Sequence, residues 1–214
     1  MILYDYWRSS SAWRVRIALH FKGLAFERRV VNLSKEVGEQ HADAFAALNP
    51  SRQLPVLVID DGAHTITQSM AIIAYLEERF PTPPLLPADP WLRARARQLA
   101  EMVNAGIQPL QNLSVLERAQ AGGLDANEWA RHYIARGLGE LEIAAQATAG
   151  AFLVGDAPSI ADVYLVPQLY NGRRRSVDLA PYPTLLRVEA ACAALPAFAA
   201  AHPDAQSDAV RPKT

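Results

Sequence analysis

The sequence predicts an α/β domain followed by an all-helical domain, and three observations support this fold class. Strand and helix patterns alternate up to about residue 80, five prolines fall within residues 81–90, and strand patterns nearly vanish beyond them. The proline-rich segment is typical of a stiff linker. We therefore expect residues 1–82 and 88–214 to form two domains. Half of the 214 residues are apolar, which is enough to bury a core.

The first domain begins with a strand, a helix and a second strand. Residues 2–7 (ILYDYW) and 26–33 (FERRVVNL) have strand composition, and the helix between them runs from about Ser11 to Lys22. This helix carries two apolar stripes, so we expect both of its sides to be covered. A unit of this kind has a right-handed crossover and parallel strands.

The rest of the first domain is predicted to contain a helical or irregular stretch, a two-stranded hairpin and a final helix. These segments are residues 39–48, 54–59, 64–67 and 69–80. The pair Asp61-Gly62 is a favoured hairpin turn, Ser69 is a natural N-cap for the last helix, and Pro81 stops that helix. The predicted order is therefore βαβ, α, ββα.

Signals for helix starts recur in the second domain. Asp89-Pro90 combines an N-cap with a first-turn proline, and Asp125-x-x-Glu128 has the spacing of a capping box. Ser159-x-x-Asp162 has the same spacing, and we assign both of its residues a structural role. These starts predict a domain that is entirely helical.

Composition and charge exclude several classes of function. A formal net charge of −1 gives no overall field that would attract nucleic acid or an anionic membrane. The amino terminus has no leader pattern and no apolar run reaches the length of a membrane span, so we expect a cytoplasmic protein. Cys192 is the only cysteine, and no two histidines stand three or four residues apart, so we expect neither a disulfide nor a metal site.

Six segments along the chain carry a family resemblance. They are RSSSAWRVRIAL, ALNPSRQLPVL, TQSMAIIAYLEE, PTPPLLPADP, GIQPLQNLSVL and VPQLYNGRRRSVDLAPYPTL. In this order they resemble the zeta class of glutathione transferases, a family best known for maleylacetoacetate isomerase activity. The resemblance implies a thioredoxin-like domain followed by a helical bundle, with glutathione as cofactor. It also implies a small dianionic maleyl substrate and a homodimer.

The three serines of RSSSAWRVRIAL lie where the first strand turns into the first helix. Backbone N–H groups and the positive end of a helix lower the pKa of a thiol at such a turn. The turn has no cysteine, so a reactive sulfur has to arrive with glutathione. By resemblance Ser9 donates a hydrogen bond to the thiolate, Ser10 lies beside it, and Ser11 stands where many members carry a cysteine. The alternative is that the serines only cap the helix.

Five further positions of the first domain match glutathione contacts of the family. The resemblance implies that Pro55 is cis and that the backbone of Leu54 pairs with the cysteinyl part of glutathione. Gln68 and Ser69 precede a helix, where the hydroxyl and first-turn N–H groups suit the γ-glutamyl carboxylate. Gln40 matches a contact to the glycyl end. An ordinary trans proline, simple capping and a plain surface glutamine are the alternatives.

In the second domain, Gln108, Asn112 and Ser114 match family positions that line the ligand cleft. Gln108 with Asn112, and Gln111 with Ser114, are spaced to form a polar strip on one helix. The alternative is hydrogen bonding between helices or across a dimer. Near the end of the matching segments, Arg174 matches the family arginine that holds a substrate carboxylate.

The resemblance implies a glutathione-dependent cis–trans isomerase that converts maleylacetoacetate to fumarylacetoacetate in tyrosine and phenylalanine catabolism. Thiolate addition to the conjugated double bond would permit rotation before the thiol is expelled. Two other enzyme functions stay open, namely maleylpyruvate isomerase of the gentisate pathway and a zeta-class transferase acting on α-haloacids. A non-catalytic glutathione-binding module is the alternative from a different class.

Overall fold

The structure is a computed structural model that describes residues 1–34 and 37–210, and the chain packs as two compact units. One unit combines residues 1–83 with the segment from Leu195 onward, and the other is Pro84–Ala194. The α-helices of the described residues, α1 to α9, are Ser10–Phe21, Asp43–Leu48, Ser69–Arg79, Pro90–Asn104, Leu113–Ala121, Ala126–Ala145, Ile160–Arg174, Pro183–Ala193 and Pro196–Ala201.

A mixed sheet of four strands forms the centre of the first unit. Its strands, β1 to β4, are Ile2–Asp5, Glu27–Val30, Val56–Ile59 and His64–Thr67. They lie in the order β2-β1-β3-β4, with β1 and β2 parallel and the other two pairs antiparallel. The predicted βαβ unit and hairpin are confirmed, although the first two strands are shorter than their sequence patterns.

The pairing register brings several chain segments to one edge of the sheet. Tyr4 of β1 pairs with Val56 of β3, and Val56 pairs with Thr67 of β4. Because β2 runs parallel to β1, with Val30 opposite Asp5, its carboxyl end lies at this edge too. The segments after β1, β2 and β4 and the segment before β3 therefore all leave the sheet from the same side.

Helix α1 is covered on both sides, as its two apolar stripes predicted. Ala12, Val15 and Leu19 are buried, and so are Trp13 and Ile17. The helix also buries Arg14 and Arg16, at 1% and 0% exposure, which the apolar stripes did not predict. A buried guanidinium needs partners of its own, so these two arginines mark polar contacts inside the first unit.

Residues 195–210 pack with the first unit, which corrects the predicted extent of the second domain, residues 88–214. In α9, Phe198 and Ala201 are buried at 3% and 0% exposure, and the helix lies against α1. Arg16 Nε donates a hydrogen bond to the backbone oxygen of Ala201 over 3.1 Å. Packing between two helices that are distant in sequence therefore places this segment in the first unit. Local composition does not predict such packing.

The second unit is helical, and side chains predicted to cap its helices do so. Asp89 accepts a hydrogen bond from the backbone of Leu92 over 2.9 Å, and Pro90 is in the first turn of α4. Asp125 caps α6, while Ser159 and Asp162 form a complete capping box at the start of α7. None of the helices in the part of the chain that the structure describes is long and apolar enough to cross a lipid bilayer.

Candidate functional site

The serine turn joins β1 to α1, and its first serine caps the helix. Ser9 Oγ accepts a hydrogen bond from the backbone N–H of Ala12 over 3.3 Å, and Ser9 N donates to the oxygen of Tyr6 over 2.9 Å. Ser10 is the first helical residue and is buried, and Ser11 is half-buried. The helix thus starts one residue earlier than predicted. Because Ser9 Oγ accepts the hydrogen bond that caps α1, its O–H group can still donate a hydrogen bond to another group.

The amino-terminal ends of α1 and α3 carry no acidic side chain in their first turns. In contrast, Glu128 lies in the first turn of α6 and Asp162 in the first turn of α7. The partial positive charge of a helix start attracts anions unless a nearby carboxylate offsets it. The helix ends beside the serine turn and after β4 are therefore suited to a negatively charged ligand.

Gln68, and not Ser69 as predicted, occupies the N-cap position of α3. Gln68 has a positive φ of 68°, and Ser69 is the first helical residue, 4% exposed. Ser69 Oγ accepts a hydrogen bond from Arg14 Nη1 over 3.2 Å. This contact links α1 to α3 through a buried arginine. Sequence reasoning missed Arg14, although its position on a helix with two apolar stripes was a signal that it would be buried.

Leu54 and Pro55 are both buried immediately before β3, and the peptide bond between them is cis. Gln40 lies in the short 3-10 helix Glu39–His41, with its Nε2 atom 3.1 Å from His41 Nε2. The Oε1 atom of Gln40 is buried and has no hydrogen-bond partner. A ligand N–H group would satisfy this acceptor.

The sheet register brings the predicted glutathione residues of the first unit to one edge. The serine turn follows β1, Gln40 follows β2, Leu54 and Pro55 precede β3, and Gln68 follows β4. These segments are scattered over more than half of the first unit's sequence. The fold, and not sequence proximity, therefore brings two helix starts and a hydroxyl donor to one edge of the sheet.

The predicted polar strip of the second unit does not lie on one helix. Gln108 belongs to the 3-10 helix Gln108–Gln111, whereas Ser114 is an exposed residue in the first turn of α5. Asn112 between them has extended backbone and caps α5 through a hydrogen bond from Leu113 N over 2.9 Å. Pro109 is the signal that could have revealed this break, since it favours a new helix start.

Gln111 makes a contact between elements within the second unit. Its Nε2 atom donates a hydrogen bond to Oε1 of Gln168 over 2.6 Å, and Gln168 is fully buried in α7. The alternative interpretation of these residues, hydrogen bonding between helices, therefore holds for Gln111. Gln108, Asn112 and Ser114 are half-buried or exposed, so their side chains remain accessible to a ligand.

The basic cluster at the end of α7 contains arginines with different surroundings. Arg173 forms a two-point ion pair with Glu189, at 2.6 and 2.5 Å, and this hydrogen bonding raises the pKa of Arg173. Arg175 donates a hydrogen bond to the side-chain oxygen of Asn127. Arg174 is the last residue of the helix and is exposed.

Comparisons with known proteins identify the family. Residues 8–79 match the glutathione S-transferase N-terminal domain. Maleylacetoacetate isomerase of Mus musculus is 49% identical over 207 residues, which cover 97% of this chain and 94% of that protein. The chain belongs to the zeta class of glutathione transferases. This zeta-class chain has the family's thioredoxin-like unit and predominantly helical second unit.

Two solved structures of similar proteins extend the comparison of this zeta-class chain. Maleylacetoacetate isomerase from Anaeromyxobacter dehalogenans, with dicarboxyethyl glutathione and citrate bound in its active site, is 55% identical with a TM-score of 0.86. That alignment covers 98% of this chain and 97% of the other. A maleyl pyruvate isomerase, described as a bacterial zeta-class glutathione S-transferase, is 44% identical with a TM-score of 0.92 and coverages of 98% and 100%.

Metal ligands do not gather in the described part of this zeta-class chain. No three histidine, cysteine, aspartate or glutamate side chains among residues 1–34 and 37–210 are arranged to hold an ion. Cys192 is buried in the second unit, where desolvation raises the pKa of its thiol. A buried, protonated thiol is a poor nucleophile.

Proposed function

We propose that this chain is a glutathione-dependent cis–trans isomerase that converts maleylacetoacetate to fumarylacetoacetate. The observation that carries the proposal is the sheet edge where two helix starts without acidic residues meet a serine turn without a cysteine. Such an edge binds a thiolate and a carboxylate but has no sulfur of its own. Relatives at 49% and 55% identity with this isomerase activity in their names support the reaction.

The residues at this edge fit glutathione, a tripeptide with a thiol, two carboxylates and backbone amides. The start of α3, with Gln68 and Ser69, suits the γ-glutamyl carboxylate, because the first turn of this helix has no acidic side chain. The unsatisfied Oε1 atom of Gln40 suits an amide N–H near the glycyl end. The segment Leu54-Pro55 lies at the same edge and offers backbone groups to the cysteinyl part.

Bound glutathione supplies a thiolate that adds reversibly to the conjugated double bond and so permits rotation. Ser9 stabilises the charged sulfur by donating a hydrogen bond from its hydroxyl group, while the start of α1 adds N–H groups and positive charge. Ser10 and Ser11 extend the polar turn without adding a thiol. The dicarboxyethyl group in the Anaeromyxobacter structure is what thiol addition to a butenedioate leaves on sulfur, which supports this chemistry.

The dianionic substrate requires a cation, and Arg174 is our candidate. It is exposed at the end of α7. A guanidinium can bind a carboxylate through two parallel hydrogen bonds. Gln108, Asn112 and Ser114 remain candidates for ligand contacts from the helical unit, because their side chains are accessible. Arg8, exposed beside Ser9, is a second cation that sequence reasoning overlooked.

The proposed reaction is tested by glutathione-dependent loss of maleylacetoacetate absorbance with the purified protein. We expect turnover only when glutathione is present. A protein that binds glutathione tightly and turns over no maleyl compound or haloacid would favour the non-catalytic binding module and would contradict the proposal.

Substitutions at Ser9 separate its donor role from its capping role. Ser9→Gly removes the hydroxyl but costs the helix start only a few tenths of a kcal/mol, whereas Ser9→Thr keeps the hydroxyl. We expect Ser9→Gly to lower kcat about tenfold and raise the pKa of bound glutathione, and Ser9→Thr to retain most activity. Ser51→Ala, at an exposed serine of the same unit, is the control. An unchanged thiol pKa in Ser9→Gly would reject Ser9 as the donor.

Maleylpyruvate is the second candidate substrate, because a maleyl pyruvate isomerase is similar over 98% of this chain with a TM-score of 0.92. Both substrates present a maleyl group and a carboxylate to the same residues. Specificity constants measured with both compounds decide between them, and a higher kcat/KM for maleylpyruvate would overturn the main assignment. Assays with α-haloacids measure any transferase activity on the same preparation.

Assembly and location follow from the family as proposals. We expect a homodimer, which light scattering of the purified protein tests directly. The net charge of −1 supports small-molecule ligands and gives no reason to expect nucleic acid or an anionic membrane as partner. A cytoplasmic location fits the proposed catabolic role, and fluorescence of a tagged chain in cells tests it.

A further inference from the structure

Four charged side chains form a cluster in the first unit, close to the turn that carries Ser9. Asp5 and Arg16 are fully buried and pair through oxygen–nitrogen distances of 2.7 and 2.8 Å. Arg28 pairs with Asp5 over 2.7 Å and with Asp208 over 2.9 Å. The two carboxylates and two guanidinium groups balance in charge, so each desolvated ion has an opposite partner.

Three hydrogen bonds connect this cluster to the backbone of the serine turn. Arg16 Nη2 donates to the oxygen of Trp7 over 2.9 Å, and Arg16 Nη1 donates to the oxygen of Tyr6 over 3.4 Å. The backbone N–H of Trp7 donates to Asp208 Oδ2 over 3.0 Å. Since Ser9 N also donates to Tyr6 O, the peptide groups that lead to Ser9 are held on both sides of Trp7.

Asp208 contributes to this turn from the opposite end of the chain. It is separated from Trp7 by 201 positions, and its two carboxylate oxygens have different tasks. One oxygen accepts from Trp7 N and the other pairs with Arg28. Asp204, in the same terminal segment, has a side chain that is 67% exposed and lies near His202, so it offers a matched comparison.

We propose that Asp208 is a positioning residue for the proposed isomerase reaction. By fixing the Trp7 peptide, Asp208 sets the backbone from which the Ser9 hydroxyl points toward the sulfur. Hydrogen bonds weaken steeply when the donor is misaligned, so loss of this anchor weakens the stabilisation of the thiolate. The inference rests on the proposed function for its effect on turnover, while its effect on the turn itself can be measured separately.

Three substitutions at Asp208 test this role through the pKa of bound glutathione, read from thiolate absorbance against pH. Asp208→Ala removes both contacts, Asp208→Glu keeps the charge but displaces the acceptor, and Asp208→Asn keeps an oxygen that can accept from Trp7 N. We expect Ala and Glu to raise the thiol pKa and lower kcat by about tenfold, with little change in KM. Asn should retain most of the wild-type values. Asp204→Asn is the control and should match wild type.

Amide hydrogen exchange at Trp7 provides the second measurement, and it does not depend on catalysis. Faster exchange in Asp208→Ala and Asp208→Glu, but not in Asp208→Asn, supports the role, and the Glu and Asn variants decide it if the alanine variant does not fold. A wild-type thiol pKa and kcat in folded Asp208→Ala or Asp208→Glu would overturn the inference. A wild-type protein that binds glutathione without isomerising either maleyl compound contradicts the proposed function alone.

Discussion

Asp162 accepts hydrogen bonds from three donors while it is fully buried. Its Oδ1 atom accepts from Leu153 N over 2.9 Å, and Oδ2 accepts from the backbone and hydroxyl of Ser159 over 2.7 and 2.9 Å. Desolvation nevertheless raises the pKa of Asp162 to about 6 from 3.8, because burial outweighs the stabilising effect of these bonds. Ionisation of the buried Asp162 carboxyl therefore destabilises the folded state.

This residue makes the stability of the protein depend on pH in a defined direction. Between about pH 4 and pH 6 the native carboxyl stays protonated while the unfolded one ionises, so stability contributed by Asp162 is lost as pH rises. As pH rises from about 4 to 6, we expect the free energy of unfolding of wild type to fall by about 3 kcal/mol relative to that of Asp162→Asn. Urea unfolding at several pH values measures it.

Asp125 provides the control, because its pKa is shifted in the opposite direction from that of Asp162. Hydrogen bonds from the backbone of Glu128 and Asn127 lower the pKa of this exposed cap. Its contribution is therefore lost as pH falls, and Asp125→Asn should change the pH dependence in the opposite direction. Parallel pH profiles of wild type and Asp162→Asn would contradict the assignment for Asp162.

Single residues also show where the candidate site could be predicted from sequence and where it could not. The serine run predicted a polar turn at a helix start, and Ser9 does cap α1. The Arg14–Ser69 contact could not be predicted, because its partners lie 55 positions apart on different helices. Gln68 has a positive φ without being glycine, so its residue type gave no indication that it would replace Ser69 as the cap.

Helix α6 contains two glycines with different surroundings. A Cβ atom at Gly137 would lie 2.4 Å from Ile107 Cγ1, a buried side chain, whereas one at Gly139 would meet only Tyr182 Cε1 at 3.8 Å. Gly137 therefore permits close packing of α6 against Ile107, which directly precedes the 3-10 helix Gln108–Gln111. Gly139 has no comparable steric role.

Alanine substitutions should separate these two roles. We expect Gly137→Ala to destabilise the protein by about 1–3 kcal/mol through overpacking against Ile107. Gly139→Ala should stabilise it by about 0.5–1 kcal/mol, because alanine is the better helix former. Chemical denaturation measures both, and equal effects of the two substitutions would contradict the steric explanation.

At the scale of elements, local signals predicted well wherever the decisive interaction was itself local. The hairpin around Asp61-Gly62 and the caps at Asp89, Asp125 and Ser159 are confirmed, because each involves residues close in sequence. The prediction of a polar strip on one helix was wrong, because it took residues 108–114 to form one continuous helix. In the structure, Pro109 lies in a short 3-10 helix, and the extended backbone at Asn112 separates that helix from α5.

For the molecule as a whole, α9 is the element that sequence order assigned to the wrong domain. Its apolar residues are as compatible with a helical bundle as with the face of α1, so composition could not decide between them. In the structure, α9 covers α1, and Phe198 is 3% exposed. The number of units was predictable from the proline-rich break, but the return of the chain to the first unit was not.

The membership of α9 predicts which unit a core substitution will loosen. Phe198→Ala should cost about 3–5 kcal/mol and raise amide exchange in α1. Phe152→Ala, which truncates a buried aromatic of the second unit, is the matched control and should raise exchange among α4 to α8. Hydrogen exchange measured by mass spectrometry locates both effects, and loosening of α7 but not α1 by Phe198→Ala would contradict this assignment.

The return of the terminal segment to the first unit also has a consequence for synthesis on the ribosome. Strands β1 to β4 emerge early, but the helix that covers α1 and the carboxylate that holds Trp7 N emerge only after the whole second unit. The second unit is contiguous, so all of its residues have been made before the first unit is complete. A nascent chain that has not yet reached Asp208 therefore lacks the partner that anchors its serine turn.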